Sequence, residues 1–396
     1  MSLPVRHAIV AGAGIGGLVA ALALARAGLR VTVLERLSVL EDVGAGIQLP
    51  PNALRVLGQL GLADVLDARA NTPPAVRVRR ARDGRDLMCL KSAAMAARWG
   101  AAGRVIHRAD LQRLLIEAVA LEPGITLDMG AAVAGFAAGA DGVAVALRRG
   151  LIRQQLTGDL LIGADGMRSA VRSKLAGVDD LRFSGHVAWR ALIDMGRLPA
   201  HSRAPETTLW LAPEAHAVQY PVRGGTLMNV VAVVQKAEAG AADDDFWNQP
   251  GDPAMLTARF RHGAPALRQL LEAAEGWRVW PLYERAGQMP WTQDRVALLG
   301  DAAHPMLPFL AQGAAQAIED AGVLGAALAG NGDTMLALAS YEKQRRERAE
   351  HVARQSARQG RIYHMAGLAA LARDFVMRHS GEARLLRKLD WLYAAT

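Results

Sequence analysis

The sequence predicts an α/β fold: a Rossmann-like three-layer domain, interrupted by an inserted mixed β-sheet (an α+β insertion) and followed by a helical C-terminus. Three observations carry this. A glycine turn, Gly12-x-Gly14-x-x-Gly17, lies between an apolar strand and an apolar helix; alternating strands dominate residues 181–290; and a strand ending in Gly300-Asp301 restarts the first pattern. The first domain is therefore expected to be discontinuous, with residues 1–180 and 291–330 flanking the insertion at 181–290 and a helical segment over 331–396.

Taken in order, residues 7–10 form a short apolar strand, 18–27 a helix ending at Gly28, and 29–34 a second strand, which together make a βαβ unit. Gly44 to Asn52 is rich in Gly and Pro and reads as a loop feeding a helix, with Asn52 as its cap and Leu54, Leu57 and Leu60 on its apolar face. Residues 108–121 form an amphipathic helix. Residues 125–147 alternate as a hairpin around Ala140-Asp141-Gly142, and 160–162 return to a buried strand. In the insertion, strands are expected at 187–193, 207–211, 215–222 and 227–234. A helix at about 313–328 completes the first domain, and the charge-dense stretch 341–361 reads as an exposed or interfacial helix that makes a homodimer plausible.

Composition narrows the class. Half of the 396 residues are apolar and 21% are charged, as in an ordinary globular enzyme. The net charge of +8 comes almost entirely from scattered Arg, with Lys only at 91, 174, 236, 343 and 388. No basic stripe interleaves with aromatics, so nucleic-acid binding is not expected, whereas a positive field suits anionic substrates. Cys89 is the only cysteine, which rules out an intrachain disulfide and a thiolate metal cage and fits a reducing cytoplasm. The uncharged run Ala8 to Ala25 resembles a secretory leader, but its glycine spacing and Glu35 downstream belong to a nucleotide fold. No other segment is long enough to span a bilayer, so stable membrane association is not expected.

The chemistry sits in three clusters. In the first, Gly12, Gly14 and Gly17 permit a tight turn and let a pyrophosphate approach backbone N–H groups at a helix start. Glu35 ends the next strand, where a carboxylate accepts ribose hydroxyls and disfavours a 2′-phosphate, so FAD or NAD is expected rather than NADP. The second cluster is Gly163-Ala-Asp165-Gly166-Met-Arg-Ser169. The third is Gly300-Asp301-Ala-Ala-His304-Pro305, followed by Gln312-Gly313-Ala314-Ala315 and Glu319-Asp320. His304 has no partner at ligand spacing and reads as structural; no metal site is expected.

These three clusters, in this order and over nearly the whole chain, resemble the single-component FAD-dependent aromatic hydroxylases (group A flavoprotein monooxygenases), which include salicylate and hydroxybenzoate hydroxylases. The resemblance implies FAD as cofactor, NADH or NADPH as transient co-substrate without its own Rossmann domain, and O2. Oxygen would add at flavin C4a to give a hydroperoxide that hydroxylates a small phenolic acid. By the same resemblance the first cluster, with Ile15, Gly16 and Arg36, holds the ADP part. Asp165 contributes flavin and nicotinamide contacts. Asp301 hydrogen-bonds the ribityl chain, and Gly313, Ala314 and Ala315 place a helix start under the flavin pyrimidine. Ala315 departs from the family's frequent Asn. Gln48, Val133 and Pro305 are also assigned to the cofactor. Spacing alone leaves Arg108 equally a solvated residue; the resemblance places it near the cofactor.

For the substrate, His216, Val218 and Tyr220 alternate along one predicted strand and so share a face. His216 and Tyr220 are candidates to orient and deprotonate a phenol, although a histidine and tyrosine on a half-exposed strand explain the spacing equally well. Pro305, Met306 and the residues to Leu310 would form an apolar wall, or plain packing. Arg190 reads more as a surface arginine than as a carboxylate ligand. The run from Pro305 to Gly313 looks most like the salicylate type; 3-hydroxybenzoate and hydroxynicotinate are alternatives. From other classes, an NAD-dependent dehydrogenase would be colourless and leave the clusters at Asp165 and Asp301 unused, and a non-catalytic flavin sensor would be yellow without substrate-stimulated NAD(P)H oxidation.

Overall fold

The computed structural model describes residues 6–39, 45–139, 141–177, 181–236, 248–285, 289–330 and 332–394; Gly44 and Ala140 of the reading above lie outside them. Its first sheet has six strands in the order Thr292–Gln293, Val296–Leu298, Leu160–Gly163, His7–Ala11, Arg30–Glu35, Ile125–Met129, all parallel except the first pair. Leu160–Gly163 is buried throughout and His7–Ala11 nearly so, as expected for parallel strands covered on both faces. The helices Ile15–Arg26 and Gly313–Gly330 cover one face, packed so closely that a Cβ at Gly325 would lie 2.9 Å from that of Ala23. The three-stranded antiparallel sheet Ala132–Ala138, Val143–Arg149, Ile152–Gly158 sends Val143, Val145 and Leu147 into the same core. Three layers result, as the sequence predicts.

The second sheet has eight strands in the order Gln249–Pro250, Arg278–Arg285, Leu181–Asp194, Leu227–Gln235, Ala215–Val222, Thr207–Ala212, Ala75–Arg80, Asp86–Lys91. It is mixed because Thr207–Ala212 runs parallel to Ala75–Arg80. Two of these strands come from within residues 1–180, a span the sequence assigns to the first domain. Their apolar alternation is masked by Arg77, Arg79 and Arg80, which pair with Glu206, Asp86 and Asp83. One face of this sheet packs Trp189, Trp210, Ala217 and Val230 against the helices Pro253–Arg259 and Pro265–Ala273.

Four expectations change. Ile125–Met129 joins the six-stranded sheet, leaving only Ala132–Ala138 and Val143–Arg149 as the hairpin. The loop before Asn52 contains a strand, Gly46–Leu49, paired with Arg104–His107. Asn52 is no cap: Pro50 holds the cap position of the helix Pro51–Gln59, and the Asn52 amide instead donates to Gln312 Oε1 (3.1 Å) and Glu319 Oε1 (2.6 Å). Finally, the charge-dense stretch belongs to a 30-residue helix, Thr334–Tyr363, that buries one face, including Tyr341, Arg345, Val352 and Ser356. No helix among the described residues is long and apolar enough to cross a membrane.

Candidate active site

Parallel pairing sets the carboxyl ends of three neighbouring strands, at Ala11, Gly163 and Leu298, along one edge, where the order turns back on itself; a crevice for a dinucleotide opens at such a point. Gly12 follows the first end with φ +103°, and a Cβ there would lie 2.6 Å from the Ala164 carbonyl oxygen. Gly17 lies on the Gly12 carbonyl, and Gly16 on Leu299, so neither tolerates a side chain. By contrast, nothing lies within 4 Å of a Cβ at Gly14, the residue before Ile15 starts the helix. Three glycines thus fold the turn and one leaves its outer side open for phosphate. Glu35 accepts from Ala13 N (2.9 Å) and Leu37 N (3.0 Å), which aims it at the turn while each oxygen keeps a lone pair for a ribose hydroxyl. Arg36 beside it is exposed, and Val133 is half-buried against the main core.

The second and third clusters meet this turn. Asp165 touches Gly12 through its backbone, but its carboxylate binds the Ser169 hydroxyl and Val171 N (3.1 Å), capping the short helix Ala170–Ala176. Burial pushes its pKa up against these hydrogen bonds. Arg172 then reaches Ala302 O (3.3 Å) and Ala303 O (3.2 Å), tying the second cluster to the third. Asp301 is exposed, its Oδ1 4.0 Å from a Cβ at Gly313, where the helix Gly313–Gly330 begins. The first N–H groups of that helix, at Gly313, Ala314 and Ala315, have no acceptor within it and suit an anionic ring edge. Behind them, Asp320 accepts from Gly300 N (2.9 Å), His304 Nε2 (2.5 Å) and Arg345 Nε (2.7 Å), while Glu319 binds Arg345, Arg348 and Asn52. His304 is thereby held by a carboxylate inside this network.

Opposite this edge lies the free face of the second sheet. Register puts His216, Val233 and Ala188 in one cross-strand row, Val218, Val231 and Arg190 in the next, and Tyr220, Asn229 and Leu192 in the third. His216 and Tyr220 therefore share a face, as the sequence predicts, about 13 Å apart along the strand. Both are buried: burial pushes the His216 pKa down, His364 and His186 adding to it, and pushes the Tyr220 phenol up against the pull of Arg190. At neutral pH these are an uncharged imidazole and a protonated phenol.

Arg190 is not a surface arginine. It is half-buried with its guanidinium over the Trp280 ring (4.8 Å) and has no ion-pair partner among the described residues, and burial with Arg108 nearby lowers its pKa to about 10. Arg108, at the start of the helix Arg108–Ala120, is exposed at the rim of the same region. Gly46 presses on Tyr220 and donates to Asn229 Oδ1 (2.6 Å), bringing the strand that carries Gln48 across the third row. At the first row, Leu307 and Phe309 pack on Ala188 and Val233, with Pro305 buried and Met306 half-buried behind them. Sequence reasoning missed His364 and Asn229 entirely; Arg190 carried a signal, one cation in the otherwise apolar run 187–193.

A dinucleotide cradle facing a sheet wall that carries a neutral imidazole, a phenol and an arginine with no ion-pair partner among the described residues has the layout of a flavin-dependent oxidoreductase for aromatic acids. The chain belongs to the FAD binding domain family, whose profile matches residues 6–356, and it is an FAD-dependent aromatic hydroxylase. It is 36% identical over 391 residues to 3-hydroxybenzoate 6-hydroxylase of Klebsiella oxytoca (98% of this chain, 96% of that one). It is 39% identical over 387 residues to 3-amino-4-hydroxybenzoate 2-monooxygenase of Streptomyces platensis (97% and 94%). Klebsiella pneumoniae HpxO, solved with FAD and uric acid, superposes with a TM-score of 0.85 at 28% identity, over 97% of this chain and 95% of that one. The cradle fits FAD: its open side at Gly14, Glu35 and the helix start beside Asp301 are the contacts such a cofactor needs.

Proposed function

We propose that the chain hydroxylates 3-hydroxybenzoate at the ring carbon para to its hydroxyl, giving 2,5-dihydroxybenzoate. The salicylate expectation drawn from Pro305 to Gly313 gives way here, because the relatives at 36% and 39% identity over nearly the whole chain are named for 3-hydroxybenzoate and 3-amino-4-hydroxybenzoate. One observation carries the reading: Arg190, a half-buried cation without an ion-pair partner among the described residues, shares a sheet face with His216 and Tyr220.

Bound FAD, reduced by NADH or NADPH, supplies an electrophilic oxygen derived from O2. The residues do the rest. Glu35, the glycine turn and Asp301 would hold the cofactor, and the N–H groups at the start of the Gly313–Gly330 helix would offer partial positive charge to its ring. Arg190 pairs with the substrate carboxylate, an interaction strengthened by the low local dielectric. His216 takes the phenolic proton at Nε2, which makes the ring carbon para to that oxygen more nucleophilic. Tyr220, kept protonated by burial, donates a hydrogen bond to the substrate. Leu307 and Phe309 exclude water.

The test is oxidation of NADH or NADPH by the FAD-loaded enzyme with 3-hydroxybenzoate, salicylate, 4-hydroxybenzoate and 3-amino-4-hydroxybenzoate, followed by product identification. Formation of 2,5-dihydroxybenzoate from the first is expected. Catechol and CO2 from salicylate alone, or hydrogen peroxide with no ring product from any, overturns the assignment.

A further inference from the structure

We propose that Asn229 is a further substrate-binding residue: its side-chain amide nitrogen donates to the carboxylate held by Arg190, and so selects aromatic acids over neutral phenols. This rests on the carboxylate role given to Arg190 above and adds a second, uncharged donor beside it.

The two ends of the Asn229 side chain are used differently. Asn229 is wholly buried, and its Oδ1 accepts from Gly46 N at 2.6 Å. A backbone N–H can only donate, so this bond fixes which end of the amide is oxygen. The other end, Nδ2, is buried with no hydrogen-bond partner among the described residues. Buried N–H groups left without an acceptor destabilise a fold, so an acceptor belongs at that point. Gly46 also holds the amide in place. A Cβ there would lie 2.4 Å from Tyr220 Cε2 and 2.9 Å from Asn229 Cγ, so the backbone of the strand Gly46–Leu49 is pressed against both side chains.

The sheet indicates which acceptor this is. Asn229 pairs with Tyr220 on one side and with Leu192 on the other, and Arg190 lies two residues before Leu192 on the same face. Across an antiparallel pair such a diagonal neighbour is roughly 7–8 Å away at the backbone, within reach of an arginine. Arg190 also acts on the Tyr220 phenol by its charge, so the three side chains stand together. A guanidinium on an indole face and an amide nitrogen without a partner both require acceptor oxygens, and a carboxylate carries two. Tyr220 is a donor as well and supplies no negative charge of its own. Along the strand, His216 lies one row beyond Arg190 and Asn229 one row before it. A carboxylate between Arg190 and Asn229 therefore leaves the phenol end of a meta-substituted ring toward His216.

The test is binding of two ligands to the FAD-loaded enzyme, followed by the change in flavin absorbance. One is 3-hydroxybenzoate; the other is 3-methylphenol, which keeps the ring and hydroxyl but lacks the carboxylate. In Asn229→Leu the dissociation constant for 3-hydroxybenzoate is expected to rise about 10- to 100-fold, that for 3-methylphenol by less than about 3-fold, with FAD content unchanged. Asn229→Asp keeps the acceptor for Gly46 N but replaces the donor with a charge that repels the carboxylate. It should weaken 3-hydroxybenzoate about 100-fold or more near pH 8, and it carries the test where the Leu variant does not fold. Equal weakening of both ligands, or native affinity for 3-hydroxybenzoate, makes Asn229 a support for Gly46 alone and overturns the proposal. Arg190→Met separates the two readings. Selective loss of 3-hydroxybenzoate there, with none in the Asn229 variants, overturns only the role of Asn229. No preference for 3-hydroxybenzoate over 3-methylphenol in the native enzyme overturns the roles of Arg190 and Asn229 together.

Discussion

Arg345 and Arg190 are a buried and a half-buried arginine of this molecule, and they are treated in opposite ways. Arg345 is 3% exposed and meets Asp320, Glu319 and Gln316 with every nitrogen engaged. Arg190 meets an indole face and the like charge of Arg108. Burying an ion is costly unless a counter-charge returns the lost hydration. The paired arginine is therefore scaffold, bolting the long C-terminal helix to the back of the cofactor edge, and the unpaired one marks where an anion belongs. The same contrast separates His304, locked on Asp320, from His216, whose only bonded nitrogen faces another imidazole.

The largest effect should come from breaking the paired side. Arg345→Ala removes the buried guanidinium shared by Asp320 and Glu319, leaving them His304 and Arg348, and is expected to cost about 3–5 kcal/mol in urea denaturation, with loss of FAD; a cost under about 1 kcal/mol would erase the contrast. Arg190→Met, on the unpaired side, should leave stability unchanged or higher yet raise KM for a hydroxybenzoate about 10- to 100-fold, the worth of a charged hydrogen bond; equal loss of stability in both variants would show that Arg190 is scaffold too. Asp301→Ala should weaken FAD retention about 10-fold or more at unchanged fold, read from the flavin absorbance left after dialysis.

A pH effect sharpens the comparison further. Burial alone would raise the Asp320 pKa, but His304, Arg345 and the Gly300 N–H outweigh it and lower it from 3.8 to about 2. A depressed carboxyl stabilises the fold above its unfolded pKa, so that contribution is complete above about pH 4 and lost as pH falls toward 2. The urea midpoint should drop across that window, with a shallower drop in Arg345→Met. Smallest of all, Asn52→Ala should cost about 1 kcal/mol, because Glu319 retains Arg345 and Arg348.

Much of the cofactor half was legible because its information is local. Gly12, Gly14 and Gly17 declare themselves by spacing, Glu35 by its distance from them, and the strands at Leu160–Gly163 and Val296–Leu298 by short apolar runs ending in Gly-Ala-Asp and Gly-Asp. His216 and Tyr220 could be set on one face because strand periodicity is two and needs no partner. Asn52, the Ala75–Lys91 hairpin and the buried face of the long helix were misread or missed for the opposite reason: each is defined by a group far away in the chain, Glu319, Glu206 or Asp320.

By itself, then, the amino-acid order determined the turn chemistry, the periodicity of each element and the order of three nucleotide-binding clusters. Backbone sterics and side-chain alternation act over a few residues and leave a mark that can be read in one dimension. Only the tertiary structure decided which buried polar groups find partners. His216 meets His364 across 148 residues, and Arg190 meets an indole ring but no carboxylate among the described residues, because charge pairing in a low-dielectric interior depends on distance through space.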